Sequence, residues 1–145
     1  MRVYLDNCCF NRPFDEQANP RVVFETEAKL LVQQQILRGN YELAWSYVLD
    51  YEIERSPFAQ RQARIRSWKN RATISCQQED GILTMAEKFR RRRIKIADSL
   101  HIACAVFMRC DYLLTTDRQM LNKPVTEIAV VNPINFVQRE IFYVE

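Results

Sequence analysis

The chain has 145 residues, 48% of them hydrophobic and 27% charged, with 21 basic and 18 acidic side chains giving a formal charge of +3. This is the composition of one ordinary globular domain: it excludes disorder, and a domain near this size buries roughly 68–70% of its unfolded surface. The absence of any apolar run of about 18 residues excludes a membrane-spanning helix, and the first residues lack the apolar stretch of a signal peptide, so the expected location is cytoplasmic.

Five cysteines (Cys8, Cys9, Cys76, Cys104 and Cys110) form an odd set without CxxC spacing, which points to reduced thiols. With one histidine, His101, and the adjacent pair Cys8 and Cys9, the chain lacks the ligand spacing of a zinc site.

Residues 2–5 read as a short buried strand ending at Asp6. A loop rich in Asn, Asp, Pro and Arg runs to Asn19. Asn19-Pro20 is an N-cap followed by proline at the first helical position. Val22, Val23, Phe24, Leu30, Leu31, Ile36 and Leu37 then recur at roughly helical period, giving a helix over about 20–38 that Gly39-Asn40 ends. Glu42–Tyr47 is the second strand. VLDYEIER reads as a short acidic helix that stops before Ser56-Pro57. A basic helix over Ala59–Arg71 and a third strand over Ala72–Ser75 follow, then a helix over Ile82–Arg92.

Ile96–Met108 is apolar on nearly every side, the pattern of a helix buried all round. Tyr112–Thr116 is the fourth strand, ending at Asp117. A turn or short helix through Leu121 leads to a fifth strand, Glu127–Val131, and a last helix, Ile134–Glu140. No repeat or linker divides the chain, so residues 1–145 read as a single domain. Strands alternating with helices predict a three-layer α/β/α sandwich with a mostly parallel five-stranded sheet. Right-handed crossovers place the ends of strands one, two and four on one edge.

Glycine occurs only at positions 39 and 81, which excludes a Gly-rich phosphate loop or dinucleotide fingerprint. There is no Gly-x-Ser-x-Gly elbow either, and His101 has no evident nucleophile partner. Carboxylates remain. Asp6 follows the first strand, Glu52 lies on the helix leaving the second, Asp98 opens the apolar helix, and Asp117 follows the fourth strand. Glu52 is chosen over Asp50 and Glu54 because residues three and four apart share a helix face, and Val48 and Leu49 should point inward.

Taken singly, Asp98 also reads as a helix N-cap, Glu52 as a surface residue and Asp117 as a loop cap. Asp6, closing a buried strand, must be solvated, hydrogen-bonded or metal-bound. Convergence of all four on one sheet edge is what favours chemistry.

The runs YLDNCCFNRP, SYVLDYE, KIADSLHIACA and YLLTTDRQML, in that order, resemble a PIN domain, the metal-dependent ribonuclease fold of VapC-type toxins. The resemblance covers essentially the whole chain. It implies strand order 3-2-1-4-5 and an acidic site at Asp6, Glu52, Asp98 and Asp117. It also implies a supporting hydroxyl at Thr115, a homodimer, and restraint by a small antitoxin protein. Asn7 departs from the Ser or Thr that many members carry after the first acid; its amide can still hydrogen-bond a neighbour.

Clustered carboxylates repel one another unless cations neutralise them, and Mg²⁺ and Mn²⁺ prefer oxygen ligands. Asp6, Asp98 and Asp117 are the expected metal ligands, with Glu52 acting through water or positioning the nucleophile. Arg55, Arg61, Arg64, Arg66, Lys69 and Arg71 form one basic cluster, which reads equally as a solvated helix face. Lys88, Arg90, Arg91, Arg92, Arg93 and Lys95 form a second beside the Asp98 helix, where RNA phosphate contact is expected. Arg12 is a further candidate phosphate contact.

His101, Trp45 and Trp68 read as packed residues, as do Cys8, Cys9, Cys104 and Cys110. The leading function is a metal-dependent endoribonuclease. The alternative is a catalytically silent RNA-binding module of the same fold. A receiver-like phosphoacceptor is disfavoured because only one acid follows the first strand and Asn132-Pro133 follows the fifth, where a lysine would be needed.

Overall fold

A computed structural model describes residues 1–142. Its centre is β1 (Arg2–Leu5), whose Val3, Tyr4 and Leu5 are fully buried. A strand covered on both faces needs an unbroken apolar run, and that is what these residues supply. β1 pairs in parallel with β2 (Glu42–Ser46) on one side and β4 (Tyr112–Leu114) on the other. β3 (Ala72–Cys76) and β5 (Ala129–Val131) complete a five-stranded, all-parallel sheet in the order β3-β2-β1-β4-β5. The order reverses at β1/β4, the place where open α/β sheets leave a crevice beyond the strand ends.

Side-chain caps start several helices. Asn19 caps α2 (Pro20–Leu37) and Ser46 caps α3 (Tyr47–Glu54). Asp117 caps α7 (Arg118–Leu121), and Asn132 caps α8 (Pro133–Glu140). α5 (Asp80–Arg90) packs along α6 (Ile96–Phe107).

β4 and β5 are each two residues shorter than expected and α5 begins and ends two residues earlier, the ordinary scatter of element ends. Four larger local features also differ from the sequence expectation. The segment after Asp6 is not a plain loop. It forms α1 (Asn7–Asn11), capped by Asp6, and then a 3₁₀ turn over Arg12–Phe14. One turn of helix is too short to show a period, and burial of Cys9 and Phe10 holds it in place.

The basic helix stops early: α4 covers Ala59–Ser67, and a 3₁₀ turn takes Trp68–Arg71. The ends of α6 are open, with Ile96 59% and Phe107 41% exposed, although Ile102–Ala105 are fully buried.

The fourth difference is in α2, where the apolar residues do not share one face. Phe24, Leu30 and Leu37 are exposed while Glu25, Lys29 and Gln33 are buried. For Glu25 the reason is a set of partners. Its carboxylate accepts from Arg12 at 2.9 Å, Arg21 at 3.2 Å and Asn132 at 2.5 Å.

Candidate active site

Asp6 stands directly beyond β1, and its N–H continues the ladder to the Leu114 carbonyl at 2.9 Å. Its carboxylate is buried, and both of its oxygens are engaged. Oδ1 accepts the Asn7 N–H at 2.8 Å, while Oδ2 accepts the Thr115 hydroxyl at 2.9 Å and the Cys8 thiol at 3.2 Å. Thr115 Oγ1 also accepts the Asp117 N–H at 3.1 Å, so one hydroxyl ties the ends of β1 and β4 together. Cys8 Sγ accepts the Thr116 N–H at 3.3 Å. The thiol is thus a wedge between the two loops. Asn7 acts through its backbone N–H, because its side-chain oxygen accepts from Asn11.

Glu52 reaches the same edge from α3. Its Oε1 lies 2.6 Å from His101 Nε2, and His101 Nδ1 lies 2.6 Å from the Tyr4 hydroxyl, itself 2.6 Å from Ser46 Oγ. Ser46 Oγ accepts from Leu49 N, so it can pass its own proton to Tyr4 and Tyr4 can donate to Nδ1. Nε2 then carries the proton toward the Glu52 carboxylate. An imidazolium reverses the first links and leaves the Nε2–H donation to Glu52 unchanged. His101 is therefore a clamp on Glu52.

Burial acts to lower the His101 pKa. Asp6 and the hydrogen bond to Glu52 outweigh it and hold the imidazole above its ordinary value. Burial pushes the Tyr4 phenol well up, keeping it a neutral link.

Asp98 is the third residue of α6 and caps nothing; no hydrogen bond engages its carboxylate among the described residues. Half-burial, then repulsion from Asp6 and Asp117, lifts its pKa to about 6. Asp117 caps α7 through a 2.9 Å bond from the Gln119 N–H. Ligand atoms of Asp6, Glu52 and His101 all lie within 4.8 Å of one another, while Asp98 and Asp117 stand outside that trio. The edge therefore carries a tight trio, with two acids close enough to be felt through their charge.

A cleft of about 450 Å³ leads to Asp98 between Arg93, Lys95, Gln119, Asn122 and Lys123. Of the other candidate phosphate contacts, Arg92 is held by Glu127 at 2.6 Å and 2.9 Å, and Arg90 pairs with Glu87 at 3.2 Å. Arg91 is exposed, and Arg12 is drawn to Asp15 and Glu25.

Sequence reasoning missed the clamp, the Cys8 wedge and the place of Lys123. Two signals were available. Tyr4 and Asp6 alternate onto one face of the strand, and His101 lies one helical turn beyond Asp98.

No family model matches the sequence, and no curated protein matches it. A solved structure does. The crystal structure of VapBC2 from Rickettsia felis bound to a DNA fragment from their promoter matches with a TM-score of 0.60 over 91% of this chain and 98% of that chain. The fold is PIN-like. Identity in that match is 16%, so the likeness lies in the path of the backbone. No helix among the described residues is long and apolar enough to cross a membrane.

Proposed function

We propose that the chain is a divalent-metal-dependent endoribonuclease that hydrolyses RNA phosphodiester bonds at Asp6, Glu52, Asp98 and Asp117. The observation that carries this reading is the gathering of carboxylates at one sheet edge, with ligand atoms of Asp6, Glu52 and His101 within 4.8 Å of one another and a half-buried Asp98 whose pKa is raised in part by repulsion from Asp6 and Asp117. Acids held together against their own repulsion are short of positive charge. The oxygen donors of Asp6, Asp98 and Asp117 suit Mg²⁺ or Mn²⁺. A bound ion of that kind supplies a water of lowered pKa and charge stabilisation for the departing oxygen.

The chain's own residues do the rest. Thr115 and the Asn7 N–H fix the Asp6 carboxylate, so it needs no reorganisation to serve as a ligand. His101 holds Glu52 at the sheet edge, where that carboxylate can orient an attacking water and take its proton. Arg93, Lys95 and Lys123 border the cleft at Asp98 and offset the repulsion an RNA phosphate would meet there. Arg91, exposed nearby, extends the same surface. The VapC-type sequence resemblance and the likeness to a VapBC2 complex agree with this reading. On this reading the chain is a toxin restrained by a small antitoxin protein, as the VapBC2 complex suggests, and it acts as a homodimer in the cytoplasm.

The test is cleavage of defined RNAs by the purified chain, with Mg²⁺, with Mn²⁺ and with chelator. Cleavage that needs the ion and disappears in Asp6→Asn and Asp98→Asn is the expected result. Activity surviving both substitutions, or in chelator, refutes the site. RNA retention without turnover in either ion replaces the nuclease with a silent RNA-binding module.

A further inference from the structure

Lys29 is 4% exposed, yet no acid pairs with it and no hydrogen bond engages its ammonium among the described residues. Buried lysines are normally paired, because an isolated charge away from water is costly. What Lys29 does have is a cavity of about 410 Å³, which it lines together with Phe10, Phe14, Leu30, Arg64 and Trp68. Its ammonium lies over the face of Phe10, 5.8 Å from the ring centroid. Arg64 stands exposed at the same cavity, without an ion pair among the described residues, whereas Arg61 on the same helix is taken by Asp15. No acidic residue lines the cavity, and none of the acids of the candidate active site borders it.

We infer that this cavity is a binding site for a small aromatic anion. Lys29 would pair with a carboxylate or phosphate head deep in the cavity, Arg64 would add a second contact, and Phe10, Phe14 and Trp68 would enclose a flat apolar body. Ligand pockets of this kind are typically about 300–1,000 Å³, mostly apolar, with a few placed polar groups. The Phe10, Phe14 and Trp68 walls account for the aromatic half, and the two cations without an acid account for the anionic half. Burial also pulls the Lys29 pKa down to about 8, in keeping with a charge that its protein surroundings compensate poorly. The inference does not depend on nuclease activity.

The experiment is calorimetric titration of the full chain with 2-naphthoate, 2-naphthyl phosphate, neutral 2-naphthamide and inorganic phosphate, alongside thermal unfolding. At least one naphthyl anion is expected to bind and to raise the unfolding midpoint; which one binds identifies the head group. The amide and inorganic phosphate are expected to do neither. Lys29→Met, similar in shape and uncharged, should weaken that binding at least about tenfold, the lower end for a charge-assisted contact. The ligand-free Lys29→Met protein should unfold at a higher temperature than the wild type. Arg64→Gln, at an exposed position that leaves the fold intact, should weaken binding less. Absence of binding by either naphthyl anion, equal binding of the amide or of inorganic phosphate, or undiminished binding in Lys29→Met overturns the inference. A ligand-free Lys29→Met protein that is less stable than the wild type also overturns it, by making Lys29 a structural residue.

Discussion

Replacing Asp98 with asparagine should make the metal-free protein more stable. The folded state lifts the Asp98 pKa from 3.8 to about 6, first by desolvation and then by repulsion from Asp6 and Asp117. A shift of roughly two units corresponds to about 3 kcal/mol for a fully buried group. Asp98 is only half-buried, so solvent screening reduces this to about 1–2 kcal/mol.

The sign follows from linkage. The folded protein holds this proton more tightly than the unfolded chain, so the stabilisation is full below about pH 4 and is lost as the pH rises through about 6. Asp98→Asn cannot ionise and keeps it. Wild type and variant should unfold together below about pH 4, diverge between about pH 4 and 6, and differ by a constant amount above that. By pH 8 the variant should lead by roughly 2–8 °C, given about 2–4 °C per kcal/mol at this chain length. Thermal unfolding in chelator across that pH range measures the difference. A variant less stable than the wild type at pH 8, or a difference that does not change with pH, would refute the electrostatic account. Mn²⁺ should stabilise the wild type and have much less effect on the variant.

Tyr4→Phe removes the link between Ser46 and His101 and should cost about 1–2 kcal/mol in urea unfolding; with Glu52 left less well held, RNA turnover should fall more than RNA affinity. Glu25→Ala strands Arg12 and Asn132 around a buried vacancy and should cost about 3 kcal/mol or more by the same measurement. Neutralising Arg93 and Lys123 at the cleft should weaken RNA binding and flatten its salt dependence, by about 0.7 in log–log slope for each phosphate no longer neutralised. Neutralising Arg92, already engaged by Glu127, should leave that slope unchanged.

The sheet could be read from the chain because each strand announces itself locally. The Val3–Leu5 run has to be buried on both faces, and Asn19-Pro20 and Asn132-Pro133 are helix starts by their side-chain chemistry alone. The positions of Asp6 and Asp117 follow from those strands, because an acid directly after β1, or a few residues past the end of β4, lies at the carboxyl end of the sheet. The Glu52 clamp was hidden, because it depends on His101 arriving from a helix 49 residues further on. The inward face of α2 was hidden for a related reason. Nothing near Glu25 in the sequence reveals Asn132, which supplies one of its bonds from 107 residues away. Arg92 looked like a free cation for the same reason, since Glu127 is a tertiary neighbour; Arg12 has a local acid in Asp15, but its buried partner Glu25 comes from α2.

Asp6 and Asp98 lie on the same edge in opposite conditions. Asp6 has both carboxylate oxygens engaged, by an amide, a hydroxyl and a thiol, and it starts α1. Asp98 has neither oxygen engaged among the described residues, and the desolvation and repulsion from Asp6 and Asp117 that it meets outweigh what its place in the first turn of α6 contributes. Selection for stability alone would therefore keep the first acid and erase the second. In a collection of random variants screened only for folding, position 6 should stay acidic or amide while position 98 drifts to neutral residues. The same collection screened for RNA cleavage should hold both.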